Sequence, residues 1–170
     1  RNEEGYRHLL SFFSDNNSCL KRSIWEKYPY EDVNFAEDQI WARKMIELGY
    51  KKIYCPFAPV YHSHNYPLKT YKKRYFDEYK GLYELHGFIN VHNWIDLILK
   101  YFKNMLSDIR YIKNLDMSKK EKIYWARYAI IRDWYRFSSS YKAVKYFKYS
   151  KEKQIKMDMK LSQQYEQRSK

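Results

Sequence analysis

Four side chains within residues 36–66 have types and spacing that could serve in acid–base catalysis or metal binding. Glu37 and Asp38 are adjacent acids at the start of a helix-like segment, and His62 and His64 follow on an extended segment. A carboxylate that reaches a substrate hydroxyl can take its proton, so the acid pair could contain a general base. Histidines two residues apart on a strand share a face and could share a metal ion. The simpler interpretation is a helix cap and two strand-end histidines.

Hydrophobic periodicity predicts the elements that carry these side chains. Residues 21–28 form a short helix, and residues 38–48 form an amphipathic helix that ends at Gly49. Residues 51–55 and 58–64 alternate in polarity and are predicted strands. The acids would therefore open a helix, and the histidines would end the strand that comes after it.

The second part of the chain has a helical pattern only. Residues 92–112 carry a continuous apolar stripe, and Ser118 with Glu121 forms a capping-box sequence that starts another helix. Residues 151–170 are highly polar, so we expect them to fray. The predicted fold class is α+β and mainly α.

Charge is unevenly distributed along the 170 residues. Residues 1–85 carry 14 basic and 12 acidic side chains, whereas residues 86–170 carry 19 and 8, a net charge of +11. This asymmetry favours an anionic partner for the second half, or it reflects a solvated helical surface. Cys19 and Cys55 show neither metal-ligand spacing nor a disulfide framework, which is typical of a reduced, intracellular protein.

Residues 14–66 resemble the C-terminal part of the catalytic domain of family 2 glycosyltransferases; they read SDNNSCLKRSIWEKYPYEDVNFAEDQIWARKMIELGYKKIYCPFAPVYHSHNY. The resemblance is fullest with bacterial rhamnosyltransferase-like members, and AEDQIWARKMIELGY is its most specific piece. It implies a GT-A fold, a nucleotide-sugar donor and an inverting displacement at the anomeric carbon. The product would be a polysaccharide or a cell-surface glycan.

The resemblance also implies roles for single residues. Asp38 matches the base that deprotonates the acceptor hydroxyl, and Glu37 would shape the site or bind acceptor hydroxyls. His62 matches a histidine that helps to hold a divalent cation, Mg²⁺ or Mn²⁺, on the donor diphosphate, and His64 is the second candidate ligand. Because hard cations prefer oxygen ligands, imidazole would be a minority ligand there.

Three further residues are candidates for the acceptor side. Trp41 lies one turn after the acids and could stack on a sugar ring, or it could pack in the core. Asn16 and Asn17 fall where the family places a polar loop beside the acceptor. Residues 1–67 would then be the acceptor-side part of the catalytic domain, and residues 68–170 a basic, aromatic-rich helical region.

The donor half of such an enzyme is not recognised in this sequence. No Asp-x-Asp precedes residue 36, and thirteen residues before the loop at 14–18 are too few for a parallel nucleotide-binding sheet. We therefore expect the C-terminal piece of a glycosyltransferase that is inactive alone and needs the upstream half for its donor and its metal. Its acceptor would be a glycan or a lipid-linked glycan, in the cytoplasm or at the inner face of the cell membrane.

Two other classes of function fit parts of the sequence. A non-enzymatic basic helical module would bind an anionic membrane, a protein partner or nucleic acid, through segments such as 69–75 and 141–153. No nucleic-acid-binding signature is present, so nucleic acid is not expected, and residues 36–62 stay unexplained. A metal-dependent hydrolase that uses Asp38 and the histidines has too few ligands. Exposed apolar surface on a fragment would favour self-association.

Overall fold

The protein is described by a computed structural model that covers residues 12–33, 35–64 and 66–169. A 3₁₀ helix at Asp15–Asn17 comes first. The described residues then contain seven α-helices: α1 (Arg22–Lys27), α2 (Glu37–Glu47), α3 (Leu68–His86), α4 (Trp94–Asn114), α5 (Lys119–Tyr146), α6 (Lys151–Leu161) and α7 (Gln163–Arg168). None of the helices described is long and apolar enough to cross a membrane. The chain divides into two compact units, Arg1–Asn65 and Tyr66–Lys170.

The predicted helices are confirmed where the sequence pattern was strongest. Helices α1, α2 and α4 occupy the predicted segments within two residues at each end. Ser118 and Glu121 form the capping box: Glu121 N donates to Ser118 Oγ, and Ser118 N donates to Glu121 Oε2 at 2.9 Å. Two otherwise unpaired helix-start donors are satisfied in this way. The mainly α part of the predicted fold class is confirmed.

The two predicted strands are not strands in the structure. Residues 51–55 and 58–64 run as exposed, irregular chain with one turn between them. A strand exists only when its backbone pairs with a neighbouring strand, and no residue that the structure describes forms such a pair. The β part of the predicted class is therefore wrong for the described residues, and the GT-A fold stays a prediction.

The first unit is organised around one face of α2. Trp41, Ala42 and Met45 are buried on that face, as expected for apolar residues three and four apart on a helix. Side chains from the surrounding segments cover them: Phe13, Leu20, Ile24, Tyr28, Tyr30 and Tyr50. This core fixes the orientation of α2, and with it the direction in which the first turn of α2 faces.

The second unit is built on the long helix α5. Phe76 and Tyr79 of α3 pack on Ala143 and Tyr146 of α5, and Leu161 of α6 completes this cluster. Three consecutive serines of α5, residues 138–140, are buried. Their small side chains let α3 approach closely, and Ser139 Oγ donates to the Lys72 carbonyl of α3 at 2.9 Å.

Helix α4 packs on the other side of α5 with a mixed contact. Val91 and Leu97 lie against Phe137 of α5 and form an apolar cluster. Next to it, Asp133 of α5 is fully buried and accepts from Asn104 Nδ2 of α4 at 3.0 Å. The α4–α5 contact therefore combines apolar burial with a specific polar network.

The prediction that residues 151–170 fray is wrong for residues 151–168. Helix α6 is held by Asp158, which accepts from Lys80 Nζ of α3 at 2.8 Å and from the Tyr146 hydroxyl of α5 at 2.7 Å. Helix α7 starts against Asp77 of α3, whose carboxylate accepts from the backbone N–H groups of Gln163 and Gln164. These long-range bonds order a polar segment that has little apolar surface of its own.

Candidate active site

The Asp38 carboxylate lies in the first turn of α2, next to the exposed Glu37. The preceding residue, Ala36, is buried and adopts a left-handed backbone conformation with φ of 61°. For a residue with a Cβ atom this conformation costs on the order of 1–2 kcal/mol, and the methyl side chain of Ala36 makes no capping hydrogen bond to the helix. Strained backbone of this kind concentrates at functional sites. Ala36 is therefore an independent reason to look for a site at the acid pair.

Two backbone N–H groups donate to the Asp38 carboxylate. Gln39 N lies 2.7 Å from Oδ1, and Asp15 N, from the 3₁₀ helix, lies 3.4 Å from Oδ2. Burial raises the pKa of Asp38, the two backbone bonds oppose this shift, and the charges of Glu37 and Asp15 add to it. A carboxylate with a raised pKa accepts a proton more readily than an ordinary aspartate does.

Asp15 and Tyr30 form a part of the site that the sequence did not predict. The Tyr30 hydroxyl donates to Asp15 Oδ1 at 2.7 Å, and burial together with this bond raises the pKa of Tyr30. The Tyr30 ring packs edge-on against Trp41, with 5.7 Å between the ring centroids. The core therefore positions Tyr30, Tyr30 holds Asp15, and Asp15 reaches Asp38. In the sequence Asp15 is an acid in a polar loop, and acids are common in the surface loops of most proteins.

The two loop asparagines make different contacts. Asn16 Nδ2 donates to Ser14 Oγ at 3.0 Å, a local bond within the loop. Asn17 Nδ2 donates to the Ala58 carbonyl at 2.6 Å, which ties the 3₁₀ helix to the irregular segment before the histidines. Both side chains are exposed. Of the two asparagines, Asn16 is the direct sequence neighbour of Asp15, whose backbone N–H contacts Asp38.

The structure places Trp41 in the core of the first unit. Its indole Nε1 donates to the Tyr28 carbonyl, and its ring packs against Phe13 and Tyr30. The side chain is almost fully buried. The sequence left open whether Trp41 stacks on a sugar ring or packs in the core, and the structure shows it packed in the core.

The two predicted metal-ligating histidines lie side by side. The Nε2 atoms of His62 and His64 are 2.9 Å apart, and the rings meet edge to face with 4.4 Å between centroids. Both are exposed. Two imidazoles are too few for a metal centre, and the residues that the structure describes contain no group of three His, Cys, Asp or Glu side chains able to hold an ion. The described residues therefore do not fit a complete Mg²⁺ or Mn²⁺ site.

Two curated proteins are similar to part of this chain. The O-antigen chain rhamnosyltransferase RfbN of Salmonella typhimurium is 44% identical over 69 residues, which make up 39% of this chain and 22% of that protein. The O-antigen chain rhamnosyltransferase WbaN of Salmonella anatum is 42% identical over 69 residues, with the same coverage. The match spans about a fifth of the length of these relatives.

No family model and no solved structure matches the chain. The similarity to RfbN and WbaN confirms in part the resemblance that the motif indicated: a relation to rhamnosyltransferases over a limited stretch. Catalytic activity and the roles of single residues go beyond this similarity.

Proposed function

We propose that this chain is the acceptor-side part of an inverting glycosyltransferase. It would transfer rhamnose or a related deoxysugar from a nucleotide donor to a growing glycan or lipid-linked glycan. The observation that carries the proposal is the Asp38 carboxylate at the start of α2, bound by backbone groups from two segments and with a raised pKa. The similarity to two O-antigen chain rhamnosyltransferases supports the choice of sugar and acceptor.

The proposed step is a single displacement. An acceptor hydroxyl oxygen attacks the anomeric carbon of the donor while Asp38 takes the hydroxyl proton. The new C–O bond forms as the bond to the diphosphate breaks, and the electron pair leaves with the nucleoside diphosphate. A positioned base contributes typically about 10²–10⁴-fold to such a step.

The neighbours of Asp38 have supporting parts in this proposal. Glu37 is exposed beside the base and is available to bind acceptor hydroxyls. Asp15 is a positioning residue, because its N–H contacts the base while its carboxylate is held by Tyr30. Asn16, exposed in the same loop, is a second candidate for contact with the acceptor.

The donor nucleotide and any divalent cation would be bound largely by residues outside the described site. His62 and His64 offer two adjacent imidazole nitrogens and remain candidate ligands in this proposal. When bound, a divalent cation would neutralise charge on the leaving diphosphate. The described residues do not complete a site for such a cation.

The proposal is tested by identifying the product. A polypeptide that contains this chain together with a donor-binding region is incubated with a panel of nucleotide sugars, which includes a rhamnosyl donor, and with a glycan acceptor. We expect acceptor-dependent release of nucleoside diphosphate and, by NMR, a glycosidic linkage of inverted anomeric configuration. A retained configuration would contradict the single displacement, and failure of every donor would contradict the proposed transfer.

A further inference from the structure

Helix α4 has a second apolar face that points away from α5. Its inner face contacts α5 through Leu97 and Asn104. The opposite side carries four apolar residues spaced four, three and four apart, which places them on one stripe of the helix. This outer stripe consists of Ile95, Leu99, Phe102 and Leu106, and each is between 49% and 69% exposed.

Aromatic side chains extend the outer stripe toward α5. The Phe102 ring lies 5.2 Å from the ring of Tyr101, and Tyr101 lies 5.5 Å from Trp134 of α5. Trp134 is 38% exposed, so its indole is also accessible beside the stripe. Partly exposed Tyr and Trp rings are suited to the boundary between lipid and water, because each combines an apolar body with a polar tip.

The charge around the outer stripe is positive. Lys103, Arg110 and Lys113 are exposed on α4, and by helical spacing Arg110 and Lys113 continue the stripe at its C-terminal end. The acids of α4 are both engaged within the protein. Asp96 accepts from Lys100 Nζ and from the His92 backbone, and Asp108 pairs with Arg132 of α5.

We propose that the outer stripe of α4 docks on the surface of an anionic lipid bilayer, with the helix lying in the plane of the interface. An apolar stripe continued by Lys and Arg gains from both acyl chains and anionic headgroups. A second copy of this chain would bind the outer stripe less favourably, because both copies carry a net charge of +13 and repel each other. Nucleic acid would use the cations but would leave four exposed aliphatic and aromatic side chains in water. The inference goes beyond the proposed sugar transfer and does not depend on it.

The test is binding of the chain to lipid vesicles. The chain is mixed with vesicles of phosphatidylcholine alone or of phosphatidylcholine with phosphatidylglycerol, and the bound fraction is measured by co-sedimentation. We expect clear binding to the anionic vesicles and weak binding to the neutral ones. Salt should weaken the binding, because exposed charges are screened.

Two matched pairs of variants locate the contact. Leu99→Gln with Leu106→Gln removes half of the outer stripe and keeps residues that favour helix; Ile155→Gln with Met159→Gln makes the same change at two exposed positions of α6. We expect the α4 pair to weaken binding by about tenfold or more, and the α6 pair to change it less than about twofold.

The cationic end is tested in the same way. Arg110→Gln with Lys113→Gln should weaken binding to anionic vesicles by about tenfold or more, whereas Lys148→Gln with Lys151→Gln removes two exposed charges elsewhere and should have a smaller effect. Circular dichroism of each variant checks that the helices are retained.

Three results would overturn the inference. The first is no binding to vesicles of either composition. The second is equal loss in the α4 pair Leu99→Gln with Leu106→Gln and in the α6 pair Ile155→Gln with Met159→Gln, which would show that the outer stripe is not the contact with the bilayer. The third is a dimer of the parent in sedimentation that the α4 pair dissociates, which would make a second copy the occupant of the stripe.

Discussion

The buried carboxylate of Asp133 should contribute far more to the stability of the fold than the carboxylate of Asp108, which contacts the same arginine. Arg132 contacts Asp133, which is fully buried, and Asp108, whose side chain is 30% exposed. Asp133 also accepts from Asn104 Nδ2 at 3.0 Å. Asp133→Ala removes both contacts and leaves the Asn104 amide without its carboxylate, whereas Asp108→Ala removes a contact that solvent can partly replace.

The expected magnitudes follow from these surroundings. Removing one partner of a buried ion pair costs about 3–5 kcal/mol. Because Arg132 keeps its contact with Asp108 and is 32% exposed, we expect the loss of the Arg132–Asp133 pair to cost about 2 kcal/mol. The lost acceptor for Asn104 adds about 1 kcal/mol. Asp133→Ala should therefore lower the free energy of unfolding by about 3 kcal/mol, and Asp108→Ala by about 1 kcal/mol or less.

The assays are equilibrium unfolding in urea, which gives the free energy of unfolding, and thermal unfolding, which gives Tm; both are followed by far-ultraviolet circular dichroism. For a chain of this length about 1 kcal/mol corresponds to roughly 2–4 °C in Tm. Asp133→Ala should lower Tm by about 6–12 °C, and Asp108→Ala by a few degrees. Equal losses for the two variants, or a loss below about 1 kcal/mol for Asp133→Ala, would refute this account of how α4 is held to α5.

Three other variants test separate parts of the structure. Trp41→Phe loses the bond to the Tyr28 carbonyl and part of the core, and should lower the free energy of unfolding by about 1–3 kcal/mol in urea titrations; no loss would contradict a core position. Asp77→Ala removes the carboxylate that binds the first N–H groups of α7 and should speed amide hydrogen exchange there, whereas Asp116→Ala, an exposed change, should not. The pKa of Asp38 is raised in the folded state, so as the pH rises from acid toward neutral the unfolded state loses this proton first. The free energy of unfolding therefore falls between the unfolded and the folded pKa values and stays lower above the folded pKa. Asp38→Asn should therefore gain stability relative to the parent at pH 7 and not at pH 3, and equal differences at both pH values would refute the raised pKa.

The sequence predicted helices well where a helix can be recognised from its own residues. The start of α5 is an example, because Ser118 and Glu121 satisfy each other within one turn. Helices α2 and α4 could be predicted for a similar reason, since their apolar residues repeat every three or four positions. Nothing distant in sequence was needed for either prediction.

The elements that were predicted wrongly depend on partners elsewhere in the chain. The alternating segments 51–55 and 58–64 have the pattern of strands, but a strand also needs a neighbour with which to pair. Helices α6 and α7 have a polar sequence that indicates fraying, and they are ordered by bonds from Asp77 and Lys80 of α3, some 80 residues earlier. Contacts over such distances leave no local periodic signal.

The candidate site was predicted in part for the same reason. Asp38 could be proposed from its place beside Glu37 and from the resemblance of the surrounding motif. Asp15 and Tyr30 could not, because their connection to Asp38 exists only once the core around α2 is folded. The left-handed conformation of Ala36 was equally invisible, since alanine rarely adopts it.

The most direct test of the central claim is the turnover rate of Asp38→Asn, measured beside Glu37→Gln. Both changes remove one negative charge from the first turn of α2, and both are made in a polypeptide that carries this chain with a donor-binding region. Release of nucleoside diphosphate and binding of the donor are measured for each. We predict that Asp38→Asn loses about 10²–10⁴-fold in kcat with donor binding intact, and that Glu37→Gln mainly raises the acceptor KM. Full turnover in Asp38→Asn would contradict the account and would leave Asp38 with the role of a helix-capping acid.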